Sequence, residues 1–427
     1  MIFAQQQYLE DFVWWEPTWK IWEMDPVFLV IKVVVVFVML LISVMLMVWF
    51  ERKVVSDMQN RIGPNVAGPF GIMQTLADGI KLFFKEDLTP DRSDKFVFKL
   101  APYLSLIPAF LMFSMVPIGG NFSVVRNENG DIVERSDGTV TIFGHDTFLQ
   151  LVDPPMGILL FLAMSGLGIY GVMLAGWSSG SKYPLLGSVR ASAQMVSYEA
   201  ALGLSLAAVF LTSGSLSTNE IVKSQAGGFS ILGFDIASWN IASLGFIPFI
   251  VFLIAGTAEL NRPPFDLVEA EQELVGGFHT EYSSLRFSLF FLAEFMNVVT
   301  MAAIIVTLFF GGPQGPILTD TLGFIWPLLW FFLKVVFFLF TFVWFRATLP
   351  RLRYDQLMDL GWKVLIPFSL GWFLLLAAIQ VGRNEGWNLI VVIVVGISVF
   401  GLGGALLIGA IRKAQTARRH SEILEYG

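Results

Sequence analysis

The chain has 427 residues, of which 55% are hydrophobic and 14% charged, with 41 Phe, 13 Trp, no Cys and a formal net charge of −7. That balance is too apolar for a water-soluble domain of this length, so the bilayer must be its solvent. Without cysteine the chain by itself holds neither a disulfide nor a thiolate-ligated iron–sulfur cluster or zinc, and its basic residues are too sparse outside the tail to indicate nucleic acid.

Residues 1–26 read as an external N-terminal segment: they lack the basic start of a cleaved signal peptide, and Trp14, Trp15, Trp19 and Trp22 suit an interfacial belt. Nine apolar stretches follow, at about 27–50, 96–118, 155–178, 193–213, 241–258, 284–310, 324–345, 362–381 and 388–411, each long enough to cross roughly 30 Å of hydrocarbon as helix. The expected fold is therefore an all-α integral membrane protein, with a core over 27–381 and a ninth span plus basic tail over 382–427. Between the first two spans, Gly63, Pro64, Gly68, Pro69 and Gly71 keep the backbone irregular. A short helix is expected next, at about 72–86, with Ile72, Met73, Leu76, Ala77, Ile80, Phe83 and Phe84 on one face and Gln74, Asp78, Lys81 and Lys85 on the other. Too short to span, it should lie in the interface, either as a purely structural element or as the lintel of an opening through which a lipid-soluble molecule slides sideways. Residues 121–146, with Asn129-Gly130 and Asp137-Gly138, predict a small external hairpin.

Basic residues fix the expected orientation. Those between the spans fall mainly after odd-numbered spans and in the tail (Arg52, Lys53, Arg61, Lys182, Arg190, Arg346, Arg351, Arg412 and Lys413 among them), whereas the opposite side has only Lys20, Arg126, Arg135, Lys223 and Arg383. The N-terminus should lie outside and the C-terminus in the cytoplasm.

Charged groups in hydrocarbon cost roughly 2.5–3.5 kcal/mol each, so those that persist face a cavity or a partner. Glu199, Glu294 and Lys334 are of this kind; if their helices pack together, Lys334 could pair with one glutamate and leave the other desolvated, which suits proton relay, or the pair could only fix helix register. The loop after the fifth span sets Glu259, Asp266, Glu269, Glu271, Glu273 and Glu281 around one arginine, Arg262. If helical, Asp266, Glu269 and Glu273 share one face, and such crowded acids should share protons near neutral pH; a solvated acidic loop is the plainer alternative. Gly166, Gly168 and Gly171 match G-x-G-x-x-G inside a span with no preceding strand, so close helix packing explains them better than a dinucleotide. His279 and Glu281 lack the cysteines of a zinc deaminase, and no metal site is expected.

The segments Glu51-Arg-Lys, Gln59-Asn-Arg61-Ile-Gly-Pro-Asn, Gly68-Pro-Phe-Gly71, Ala77-Asp78, Ala258-Glu-Leu-Asn-Arg-Pro-Pro-Phe-Asp266, Gly277-Phe-His-Thr-Glu-Tyr282, Phe291-Leu-Ala-Glu294 and Pro350-Arg-Leu-Arg-Tyr-Asp-Gln356 occur in this order. Together with Glu199 and Lys334 they resemble the H-subunit family of bacterial NADH-quinone oxidoreductase, respiratory complex I, whose mitochondrial counterpart is subunit 1. The resemblance implies a multi-pass subunit of the bacterial plasma membrane that walls the quinone chamber and couples quinone reduction to proton translocation. It implies ubiquinone or menaquinone as substrate, FMN and iron–sulfur clusters in peripheral partner subunits, and antiporter-like membrane partners, with no complete active site in this chain alone. It also implies that Gln59, Arg61, Asp78 and Phe291 line the quinone passage. Glu199, Glu259, Asp266, Glu269, Glu271, Glu273, Glu281, Glu294 and Lys334 would then carry the proton relay. The chain departs from the family in its ninth span, its longer external hairpin, and Phe295 where many members carry Tyr. A homologous subunit of a hydrogenase-type complex and a stand-alone ion transporter are the alternatives.

Overall fold

A computed structural model describes residues 26–122, 124–126, 132–136, 138–142, 145–227, 238–267, 275–316 and 325–426. Helix α1, Pro26–Met58, has 33 residues and is about 50 Å long, so it overshoots the hydrocarbon and carries Glu51 and Arg52 past it. Val36, Leu40, Val44, Met47 and Val48, which fall on one face at helical spacing, are its buried stripe, while Val30, Val34 and Val38 stay on the outer surface. After a tight turn at Pro69–Gly71, helix α2, Met73–Phe84, has no buried residue, and Met73, Leu76, Ile80, Phe83 and Phe84 are exposed. An apolar face left uncovered by protein is what an interfacial helix presents to lipid. The turn needs glycine at Gly71, where φ is +78° and a Cβ would meet the Pro64 carbonyl at 2.4 Å.

Helix α3, Lys95–Ser114, starts at Asp94, whose carboxylate accepts from the Phe96 and Val97 amides. Helix α4, Gly157–Ser178, crosses it closely because Gly171 has no side chain: a Cβ there would lie 2.8 Å from the Ser105 amide nitrogen. Gly166 instead faces the Glu199 carboxylate, and a Cβ at Gly168 would meet nothing within 4 Å. Helix-on-helix contact thus explains one of the three glycines. Helix α5, Lys182–Ser213, begins eleven residues before the apolar stretch read from the sequence, because its polar start buries a face of small residues, Gly187, Ser188 and Ala191. Helix α6 is Thr218–Ser224, and α7, Phe246–Glu259, is a short span of 14 residues.

Helix α8, Ser284–Phe309, is buried at almost every position beyond Ala293 and forms the centre of the bundle. It is followed by α9, Ile325–Thr348; α10, Tyr354–Asp359; a π-helical segment, Leu360–Leu365; α11, Ile366–Asn384; and α12, Leu389–Tyr426. The last packs on α11, where Phe400 sits 5.2 Å from Phe368 and 5.8 Å from Trp372. Seven helices among the described residues are long and apolar enough to cross a membrane, and α7 and the apolar part of α12, Val391–Leu406, are shorter apolar helices at the fifth and ninth expected spans.

The segment after α3 differs from the single hairpin expected. It holds two antiparallel pairs, β1 Val124–Arg126 with β2 Ile132–Arg135, and β3 Thr139–Ile142 with β4 His145–Phe148. Gly138, in the left-handed region, separates the pairs rather than turning one hairpin. At the same end of the bundle, the Lys334 ammonium donates to the carbonyls of Phe310 (2.8 Å), Gly312 (3.0 Å) and Gln314 (2.7 Å) and lies 4.5 Å from the centre of the Trp239 ring. A cation there satisfies carbonyls at and just past the C-terminus of α8 and complements its dipole.

Candidate functional site

The site is built where α7 stops. Leu260 ends the helix, Asn261 turns into the left-handed region (φ +51°), the Asn261 amide donates to Ala258 O and the Arg262 amide to Thr257 O. This is a Schellman ending, with asparagine in the position that glycine usually takes. Gln194 of α5 donates its side-chain amide to the carbonyls of Ala258 (2.7 Å) and Phe265 (2.9 Å), so the chain reversal is bound to the bundle core. Its effect is to aim Arg262 sideways between α1 and α8.

The Arg262 side chain is only 6% exposed. Its Nη1 donates to Glu51 Oε2 at 2.8 Å, its Nε lies 3.2 Å from Glu294 Oε1, and its guanidinium lies over the Phe295 ring at 4.6 Å. Arg346 of α9 pairs with the other Glu51 oxygen. Four charges thus alternate in one chain, Arg346, Glu51, Arg262 and Glu294, and join three helices with no net charge. Desolvating an isolated ion costs several kcal/mol, and alternation with short contacts is what offsets it.

This chain of charges borders a cleft of about 480 Å³ between α1 and α8, lined by Val48, Glu51, Arg52, Val55, Arg61, Arg262, Phe291, Glu294, Phe295 and Arg346 among others. Helix α2 is clamped across its flank. Arg52 pairs with Asp78 at 2.6 Å, Trp49 donates to the Phe70 carbonyl, and Ser284 at the start of α8 donates to Leu82 O. Arg61 Nε donates to Gln59 Oε1 at 2.7 Å. Of the four residues expected to line a quinone passage, Arg61 and Phe291 line the cleft, Gln59 is bonded to Arg61, and Asp78 fixes the interfacial helix through Arg52.

A second cavity, of about 90 Å³, lies deeper among α3, α4, α5, α7 and α8. Its polar lining is Ser105, Ser165, Glu259, Asn261, His279, Glu294, Asn297 and Thr300. Phe291 and Glu294 border both spaces and form the partition between them. Glu259 is buried, and Glu199 stands on α5 against Gly166. Asp266 is buried and pairs with Arg351 at 3.0 Å. Glu281 is half-buried beside Tyr282, whose ring stacks on Phe98 at 4.0 Å and whose hydroxyl donates to the Phe98 carbonyl; burial pushes that phenol up to about 12. Glu269, Glu271 and Glu273 lie outside the described residues.

Lys334 joins neither space. It is anchored at the far end of α8, about 22 Å along the axis from Glu294, and has no ion pair among the described residues. The lysine–glutamate pair considered from the sequence is replaced by an arginine–glutamate pair. Arg262, Glu51, Arg346 and Gln194 were not singled out as site residues by sequence reasoning. The signal available was Asn-Arg-Pro-Pro directly after a span, which points a cation back at the helix end.

Residues 31–377 match the family model described as NADH dehydrogenase. The chain is 49% identical over 388 residues to the H subunit of NADH-quinone oxidoreductase from Cutibacterium acnes, covering 88% of this chain and 84% of that one. It is 50% identical to the corresponding protein of Frankia alni (84% and 75% covered) and 48% identical to that of Streptomyces avermitilis (85% and 76%).

Proposed function

The chain belongs to the NADH dehydrogenase family, as the multi-pass membrane H subunit of NADH-quinone oxidoreductase, and from that premise we propose that its outer cleft is the quinone passage and its inner cavity the start of the proton path. The observation that carries this reading is the shared partition, because one carboxylate, Glu294, borders both the place where quinone would bind and the buried acids beyond it.

The chemistry follows from the lining. A quinone has an apolar tail and two carbonyl oxygens. The exposed apolar face of α2 and the phenyl rings of Phe291 and Phe295 suit the tail, and Arg61 and Arg346 supply donors for the headgroup. Reduction takes two electrons, delivered by partner subunits that carry flavin and iron–sulfur clusters, and two protons. As negative charge develops in the cleft, Arg262 is drawn between it and the carboxylates of Glu51 and Glu294, and Glu294 can take or release a proton on the inner side. Glu259, Glu199, Asp266, Glu269, Glu271, Glu273 and Glu281 then form a group of acids that passes the change toward antiporter-like subunits. Lys334 serves this path as an anchor for α8 rather than as a carrier. The basic end of the bundle faces the cytoplasm of a bacterial cell, and the end of the family match at residue 377 supports reading 382–427 as an addition to the common core.

Arg61→Ala tests the passage. NADH oxidation with a water-soluble acceptor should persist in membranes, while quinone reduction falls about tenfold to a hundredfold, as expected for losing one charge-assisted hydrogen bond. Unchanged quinone reduction would remove Arg61 from the passage.

A further inference from the structure

The inner cavity has more polar groups aimed into it than the protein satisfies. Ser105 Oγ of α3, Glu259 Oε2 of α7 and Asn297 Oδ1 of α8 are enclosed and have no hydrogen-bond partner among the described residues. All three residues line the same space. Buried polar atoms are rarely left unsatisfied, and unpartnered groups converging from three helices indicate a shared polar occupant. His279 enters this cavity from the loop. Its ring packs at a steep angle against both Phe278 (4.9 Å) and Phe287 (5.3 Å), and its nitrogens have no hydrogen-bond partner among the described residues.

We propose that His279 is the positioning residue of a water cluster that fills this cavity and joins the carboxylate of Glu259 to that of Glu294. A neutral imidazole is suited to the task because one nitrogen donates and the other accepts, so it can orient a water from either side. Burial pushes the His279 imidazole down to about 4, which keeps it neutral at physiological pH. The two near-perpendicular phenyl contacts fix the plane of the ring. The water-borne proton moves between the two glutamates, and His279 itself neither gains nor loses one overall.

This inference rests on the proposed proton path, and its test separates the two. In the intact complex reconstituted in liposomes, His279→Phe keeps the aromatic contacts and removes the hydrogen bonds, whereas His279→Gln keeps a donor and an acceptor and loses the aromatic contacts. Quinone-coupled proton transport should fall about tenfold or more in the Phe variant. It should stay within about twofold of the parent in the Gln variant, with NADH oxidation by a water-soluble acceptor unchanged in both. His279→Leu takes the place of the Phe variant, with the same expectation, should that one fail to assemble. Normal transport in His279→Phe, or a loss in His279→Gln as large as in His279→Phe, overturns the proposal, the second outcome assigning His279 to packing. If Glu259→Gln abolishes transport while His279→Phe does not, only the role of His279 fails. If Glu259→Gln and His279→Phe both transport normally, the proton path through this cavity fails with it.

Discussion

Arg262→Met is expected to destabilise the folded subunit by about 3–5 kcal/mol, the usual cost of removing one member of a buried ion pair, and to lower the amount of assembled complex. Methionine matches the arginine stem in length and keeps contact with Phe295, so the loss is of charge rather than volume. Glu51 retains Arg346, whereas Glu294 loses the guanidinium 3.2 Å from its carboxylate, which places the damage at the partition. Adding Glu51→Gln should make matters worse by taking the carboxylate from Arg346, but Glu294→Gln in the Arg262→Met background should recover part of the stability, because one of the two carboxylates that Arg262 balances is then neutral. Arg262→Lys should be intermediate: a lysine offers a point charge where the arginine fork reaches two carboxylates at once. Thermal denaturation of the purified complex checks the series, and equal stability of Arg262→Met and parent would show that the alternating chain contributes nothing.

Glu259→Gln is expected to act on transport and not on folding. The carboxamide fills the same volume and still offers an oxygen and two N–H groups to the inner cavity, but it cannot bind and release a proton. Assembly and NADH oxidation by a water-soluble acceptor should therefore be normal, while proton uptake by reconstituted vesicles driven by NADH and quinone falls by about tenfold to a thousandfold. Glu259→Asp, which keeps a titratable group one methylene shorter, should recover part of the rate. Proton uptake at the parent rate in Glu259→Gln would take this residue out of the path.

Much of the fold was legible because a bilayer imposes length. The stretches at 155–178 and 284–310 coincide with α4 and α8 to within two residues, since the apolar run and the helix are the same object there. The start of α5 was missed by eleven residues for the opposite reason: Lys182, Ser188 and Arg190 are polar, and the helix continues where hydropathy falls because its small buried face packs against its neighbours. The interfacial helix was legible from its 3.6-residue stripe, and Met73–Phe84 follows it closely.

The site was legible in composition but not in pairing. A carboxylate inside a span is costly enough to mark Glu199 and Glu294 from sequence alone, whereas Glu259 stood out only as a member of the acidic loop after the fifth span. Which cation meets them depends on where a helix stops and how the chain reverses, and the left-handed turn at Asn261 decided that for Arg262. Lys334 looked equally available in the sequence, and its three carbonyl partners exist only because the chain after Phe309 folds back on α9. Gln194 was invisible for a similar reason, since a glutamine in a span becomes informative only once the carbonyls it caps are located.

A quinone that enters between α1 and α8 and reaches the partition at Phe291 and Glu294 passes within reach of both cleft walls. Photolabelling of the intact complex with a tailed quinone that carries a photoreactive headgroup, followed by peptide mapping, tests this route directly. Label is expected on the end of α1 and the following loop, residues 48–64, and on α8 at 291–295, displaced by excess unlabelled quinone. Displaceable label confined to the outer faces of α11 and α12, with none on either cleft wall, would contradict it.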